Sequence, residues 1–539
     1  MLIINPFIMN KLFTLLALFG MLSIAYSENN TTAAYDGGDG TENDPFQIAS
    51  LDQLRTLSET VADWDKHFIL TSNIDASASS TWNSSNGFSP IGNKTNNFTG
   101  SLNGRNHTIS GLTCNVQYTD YRALFGYIIN ASIINVGMKD CNVKGKEYTA
   151  TLVGYANQSI ISNCHATGGL VQGANGNTVA GLIGMATTYS EVTYCYTNLE
   201  IQTGYGYTGG LMGSLVGSSS MRYCFSFNSI NSTGGYGAKS FGGLVAQNQT
   251  STIEDCYSHA SVHGYQWVAA FAGRNYSNET TFASISNCYA TGNVSGTYTT
   301  AGFIGSNEGA STATNCYFDT ETTGQTNAIA IDENSQTASG YETSMFSDAD
   351  NFPGWDFDEI WVIKTVTEYD ANPRPYLQWQ FGYNLNFVAD GNGSINGETI
   401  QIVQRADNAS TVEAIPDASS EFIEWQAEDG TSYSTENPLT IQNVTSNLNL
   451  TAVFSITTNI ETSSGTGTLI YPNPTKGDLF IKAEGIKNVE LMNLNGSVIN
   501  IFNISENQDH INLSDYGKGL YIVRVTTTKG SFSKKIIVE

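Results

Sequence analysis

Residues 286–305 read SNCYATGNVSGTYTTAGFIG, and both halves of that stretch recur along the chain. The first half returns as SNCHATG at 162–168, EDCYSHA at 254–260 and TNCYF at 314–318. The second half is a short apolar pair flanked by small residues: ALFG at 123–126, LVG at 152–154, GLIG at 181–184, GLMG at 210–213, GLVA at 243–246, AFAG at 270–273 and GFIG at 302–305. From Gly126 to Gly305 is 179 residues over six intervals, so the unit is close to 30 residues. The eight cysteines, at 114, 141, 164, 195, 224, 256, 288 and 316, keep the same step. A fixed period of this size marks stacked units, none of which buries its apolar face alone.

The unit reads as β. No segment of helical length carries a 3.6-residue apolar period, whereas Ser159-Ile160-Ile161 and Asn293-Val294-Ser295 sit between Gly and Asn turns. One coil per unit then advances about 4.8 Å. In that register the cysteines are expected to form an internal column of reduced thiols beside the apolar column, acting as small hydrophobes. Cys-x-x-Cys pairs of the zinc-site kind are not among them.

With GLIG, GLMG and SNCYATG in phase, residues 110–320 resemble the GLUG-motif repeats of bacterial surface proteins. The flanks FTGSLNGRNHTISGL at 98–112 and NCYFDTETTG at 315–324, with FPGWDFDEIWVI at 352–363 and RPYL at 374–377, resemble the segments that open and close such arrays. The expected fold is all-β: a parallel β-helix or β-solenoid of about seven 30-residue repeats at 114–320. An N-terminal cap with the first coils at 28–113 precedes it, and a C-terminal cap at 321–385 follows. Ser50 with Gln53 forms a capping-box pattern before Leu51, Leu54 and Leu57, which places a short helix in the N-terminal cap. The Trp- and Phe-rich residues 340–380 are expected to close the other end.

At the start, Lys11 precedes the apolar run Leu12–Leu22, and Ala25-Tyr26-Ser27 offers small residues at cleavage spacing, so residues 1–27 read as a signal peptide. Translation starts at Met1 or Met9. Beyond the solenoid, FVADGNGSINGETIQIV at 387–403, Trp425 and LTAVFS at 450–455 predict a small β domain over 386–455, similar to the surface repeats of internalin-like adhesins. Residues 456–467 are a polar linker. Residues 468–539 predict a β-sandwich. Tyr471-Pro472-Asn473-Pro474 with Gly477, and Gly517-Lys518-Gly519 with Tyr521, resemble the C-terminal sorting domain of type IX secretion substrates from Bacteroidetes. That resemblance implies a protein secreted or anchored on the outer surface once signal peptide and sorting domain are removed, with the type IX machinery as partner.

A net charge of −26 and a pI near 4.4 repel nucleic-acid phosphates and anionic membranes, and no later stretch is long and apolar enough for a membrane helix. No catalytic constellation stands out. The six histidines show no metal spacing beyond His259 and His263, four apart in a β context. Arg122, Lys139, Lys144, Lys146, Arg222, Lys239 and Arg274 are scattered rather than grouped with acids. No cofactor is implied, although the carboxylates of 39–44 suit calcium. One pattern points to binding: Tyr148, Tyr207, Tyr236, Trp267 and Tyr298 precede successive Gly-bounded motifs, with Tyr205 and Tyr265 beside two of them and Asn177 in one unit instead. In register they form a ladder of rings about 5 Å apart, suited to the faces of sugar rings. The expected function is adhesin-like binding of extracellular polysaccharide or a host or biofilm surface; the alternative is a polysaccharide lyase or glycoside hydrolase on the β-helix.

Overall fold

The computed structural model describes residues 34–174, 178–277, 282–334, 338–456, 469–504 and 510–539. The expected signal peptide, most of the linker and Asn177 lie outside the described residues. Contacts divide the chain into two units: residues 1–385 with 401–410 and 440–447, and residues 386–400, 411–439 and 448–539.

The first unit is a parallel β-solenoid. The coils stack as several parallel sheets, one of ten strands and one of eight among them, and the pairings between coils keep register apart from a shift between Thr167 and Leu170. Val153–Asn157, for example, pairs with Ile183–Thr187, and Ile160–Ser162 with Glu191–Thr193. The Gly-bounded motif forms a corner ahead of the eight-stranded sheet. Leu152, Leu182, Leu211 and Leu244, then Phe271 and Phe303, stack inward there with Val153, Ile183, Met212 and Val245, all fully buried. Burying one such side chain contributes about 1.5–3 kcal/mol, and the stack repeats it coil after coil.

The terminal glycine of the motif is fixed by crowding. A methyl on Gly184 would lie 2.9 Å from the Tyr148 Cα, and one on Gly305 would lie 2.6 Å from the Trp267 carbonyl carbon. Tyr148 and Trp267 themselves take left-handed φ angles of 53° and 55°. The backbone of one coil thus presses directly on the glycine of the next.

Six of the eight thiols form the expected internal column. Cys164, Cys195, Cys224, Cys256, Cys288 and Cys316 occupy equivalent places, are free and are buried, and the Cys195 N–H donates to the Cys224 Sγ at 3.4 Å. Cys114 and Cys141 stand elsewhere. The register aligns Cys141 with Gly169, five residues beyond Cys164, and Val136 takes the column position in that coil. The residue before each column position turns through left-handed φ: Asn135, Asn163, Tyr194, Tyr223, Asp255, Asn287 and Asn315 all lie between 51° and 58°. Asn and Asp tolerate this conformation better than other side chains.

The residue after each column cysteine is aromatic and faces outward, and the first five stack on one another. His165, Tyr196, Phe225, Tyr257 and Tyr289 follow one another at centroid distances of 4.8, 4.9, 5.0 and 5.2 Å, with planes within 15°. Residues 343–381 cover most of this column as a lateral flap. Three tryptophans anchor it to the left-handed residues beneath: Trp355 Nε1 donates to the Asn315 carbonyl at 3.0 Å, Trp361 Nε1 to Asp255 Oδ1 at 3.3 Å and Trp379 Nε1 to the Tyr223 carbonyl at 3.1 Å. After the last coil the chain therefore retraces the solenoid toward its N-terminal end. Arg374, fully buried, holds the flap through Asp319 at 2.6 Å and Asp370 at 2.8 Å. The last coil is also extended by Ile329–Asp332 and Ser339–Tyr341, which pair with Ile304–Glu308 and Tyr317–Asp319.

At the other end the helix forms as the sequence predicts, over Leu51–Glu59, with the reciprocal Ser50–Gln53 capping box and Leu54 and Leu57 buried. In the second unit, Ser420–Ala427 pairs antiparallel with Leu448–Ile456 around a fully buried Trp425, whose indole donates to the Glu436 carbonyl at 3.1 Å. Residues 469–539 form a sandwich of three- and four-stranded antiparallel sheets over Leu479, Val489, Leu491, Val523, Val525 and Ile536.

Candidate functional site

The five predicted ring residues fall into two columns rather than one ladder. Register places Tyr121, Tyr148, Thr178, Tyr207, Ser240, Trp267 and Thr299 at equivalent positions. Tyr148, Tyr207 and Trp267 therefore stand on alternate coils, roughly 10 Å apart, with a small residue between each pair. Tyr148 stacks on Tyr121 at 5.0 Å and meets Tyr155 edge-on at 5.4 Å. Trp267 is flanked by two cations, Lys239 Nζ at 5.3 Å and the Arg274 guanidinium at 5.4 Å from the ring centroid.

Tyr236 and Tyr298 belong to a second row, one loop earlier. Tyr205, Tyr236, Tyr265 and Tyr298 sit ahead of the strand on four consecutive coils, and Tyr236 and Tyr298 are 93% and 71% exposed. Tyr265 and Tyr298 lie parallel, 6.3 Å apart and 13° inclined, tied by the Tyr298 N–H to the Tyr265 carbonyl at 2.8 Å. The signal for this row was in the sequence, in Tyr236 and Tyr298 of the predicted set and in Tyr205 and Tyr265 noted beside it. Differing loop lengths hid the register.

Several side chains that offered acid–base chemistry are engaged in other contacts. Arg222 pairs with Glu254 and Arg274 with Glu308, each across one rung. His259 is buried against Tyr289, its Nε2 2.7 Å from the hydroxyl, and burial pulls its pKa down to about 3. His263 lies on a different strand and meets Ser295. The 39–44 loop closes on itself, Asp39 and Gly40 donating to the Asp44 carbonyl. Among the described residues no cluster of three or more His, Cys, Asp or Glu side chains is arranged to hold a metal.

In the terminal sandwich the sorting-motif residues clasp the last strand. Asn473 Nδ2 donates to the Lys535 carbonyl and Oδ1 accepts from the Ile537 N–H, both at 2.8 Å, while the Thr475 N–H donates to the Ile537 carbonyl. Gly477 accepts from the Leu513 N–H at a point where a side chain would strike Ser514. Tyr521 donates to the Gly517 carbonyl at 2.7 Å. Tyr471 and Phe480 stack on the surface at 5.7 Å. Residues 469–539 match the secretion system C-terminal sorting domain family. This sandwich is a type IX sorting domain. A protein that carries such a sorting domain is secreted or displayed on the outer surface, and among the described residues no helix is long and apolar enough to cross a membrane. Upstream of the sorting domain, residues 383–458 match the divergent InlB B-repeat domain. Over 168 residues, 30% of this chain, the sequence is 36% identical to halomucin of Haloquadratum walsbyi (strain DSM 16790 / HBSQ001), of which it spans 2%. An IgA1 protease superimposes with a TM-score of 0.32 at 16% identity, over 55% of this chain and 21% of that one.

Proposed function

We propose that the protein is a non-catalytic surface adhesin that holds extracellular glycan on the outside of its solenoid. The observation that carries this reading is the row Tyr205, Tyr236, Tyr265 and Tyr298, one ring per coil over four coils. Aromatic faces stack on the C–H faces of sugars, and exposed rings on successive coils offer a polymer several such faces. Export begins with the signal peptide at 1–27. The type IX machinery of a Bacteroidetes cell then reads the sorting domain through Tyr471–Pro474, Gly477 and Gly517–Tyr521, and its removal leaves the solenoid anchored or released. The InlB-type repeat links the two.

The test is electrophoresis of the full chain through native gels cast with algal, plant and host polysaccharides, with reducing ends and unsaturated products assayed in parallel. Retardation without product is expected. Y236A and Y298A, at exposed positions, should each cut retention at least threefold with melting unchanged; full retention in the double variant overturns the row as the site. Product release would make the protein a polysaccharide-degrading enzyme.

A further inference from the structure

Packing asks only for a small apolar side chain at each place in the internal column, and Val136 meets that demand in the coil below Cys164. The next six coils nevertheless all place a free, buried thiol there, at Cys164, Cys195, Cys224, Cys256, Cys288 and Cys316. Each Sγ lies 3.0–3.3 Å from the carbonyl oxygen two residues earlier in its own coil. The six side chains therefore point the same way, and successive sulfurs are separated by one rung, about 4.8 Å. Backbone donors are aimed at the middle of the stack. The Cys195 N–H reaches Cys224 Sγ and the Cys224 N–H reaches Cys256 Sγ, both at 3.4 Å. Hydrogen bonds to a sulfur of this kind favour its ionised form.

The spacing decides among the reactions open to stacked thiols. A disulfide holds its β-carbons about 3.5–4.5 Å apart, and an in-register stack keeps them about one rung apart, too far without movement of the backbone. Zinc gathers four ligands around one point, whereas single file brings two sulfurs to each gap. Two thiolate–metal bonds in line, each about 2.3 Å long, span about 4.6 Å, close to one rung. Soft thiolate ligands select copper(I), which two sulfurs in line satisfy.

We propose that the column binds copper(I) as a chain, one ion between each successive pair of sulfurs. Six sulfurs leave five gaps. Six thiols and five copper(I) ions give a copper–thiolate chain of net charge −1 and six released protons, with no change of oxidation state. The N–H groups aimed at Cys224 and Cys256 stabilise that remaining negative charge. The carbonyls that accept from the thiols in the metal-free column face cations in the loaded one. The folded column is sealed, so ions enter while coils are open and are enclosed as each coil closes on the last. None of this depends on the glycan-binding reading.

The experiment unfolds the full chain in reducing, oxygen-free buffer, refolds it with copper(I) supplied as its acetonitrile complex, removes loose metal on a copper(I)-chelating resin and counts what stays. Chain produced in copper-supplemented cells is counted in the same way and needs no refolding. About five ions per chain are expected, with near-ultraviolet sulfur-to-copper absorption and a raised melting midpoint, since the ions bind the folded stack. Metal-free chain exposed to copper(I) after folding should retain none. C224A removes the sulfur shared by two gaps and should hold about three ions, and C316A, at the end of the column, about four. C114A and C141A lie outside the column and should hold about five. Melting of each variant without metal checks its fold. The proposal is overturned if neither preparation retains copper, if the folded metal-free chain retains as much, if C224A still holds five, or if the count falls in C114A or C141A instead.

Discussion

Replacing Gly305 by Ala tests the coil geometry at its tightest point. The new methyl would sit 2.6 Å from both the Gly273 carbonyl oxygen and the Trp267 carbonyl carbon, and 2.7 Å from the Trp267 Cα, where ordinary contact begins at 3.4 Å. All three obstacles are backbone, so no side-chain rotation relieves them and the rungs must part by several tenths of an ångström. Overpacking of this kind costs about 1–3 kcal/mol. In a one-dimensional stack the cost falls on neighbouring coils, not on the whole fold. Amide exchange of the mature chain should therefore show protection in Ala272–Tyr276 and Ile304–Glu308 reduced by roughly 5- to 150-fold, a 1–3 kcal/mol change in local opening. Protection in Phe125–Ile129 should be unaltered. G204A is the control, since nothing lies within 4 Å of its methyl. Equal protection in G305A and G204A would refute the argument that the motif's last glycine is set by the left-handed residue pressed against it.

Two further outcomes follow from burial. Burial raises the Asp255 carboxyl to about 6, an effect that the Trp361 and Asn287 hydrogen bonds only partly offset. Its folded pKa thus exceeds the unfolded one, so the associated stability is complete below about pH 4 and is lost as pH rises through 6; D255N should abolish that decline, followed by denaturant midpoints with Trp361 among the fluorescent reporters. The eight thiols are buried out of reach of reagent; desolvation pushes Cys114 and Cys141 up to about 12 and Cys164, Cys195, Cys224 and Cys288 well above the usual range, while hydrogen bonds to Cys224 and Cys288 bring Cys256 down to about 6 against that desolvation. Maleimide at pH 7 should label none of them in the native chain and all eight after denaturation; rapid native labelling would contradict the sealed column.

The solenoid was legible because its physics is local and repeated. Each Gly-bounded motif needs the same crowded corner, and each cysteine column place the same small apolar side chain, so the pattern survives in a single sequence. Register was less legible. Cys114 and Cys141 keep the sequence period yet leave the column, because period counts residues while register counts rungs, and loops of unequal length separate the two. The same arithmetic split the predicted rings: Tyr236 and Tyr298 moved to the outer row while Tyr148, Tyr207 and Trp267 stayed on alternate coils. The cavity beside His165 and Tyr196 was not legible at all. Its walls come from residues such as Asn106, Tyr196, Trp379 and Arg405, up to 299 positions apart, and only the flap's return path brings them together. A faint trace existed in the ring that follows each column cysteine, since a repeated outward aromatic is costly to leave uncovered.

That return path also decides how the solenoid responds to force. A bare stack loaded at its C-terminal end would peel one coil at a time, breaking a few rung hydrogen bonds at each step. Here the chain leaving the last coil is first stapled by Trp355, Trp361 and Trp379 to three earlier coils, and by the buried Arg374 to Asp319. Tension on the segment beyond 381 must shear these anchors before it reaches any rung, so the load is shared across the coils. A pull on that segment would load the flap before it loads the coils.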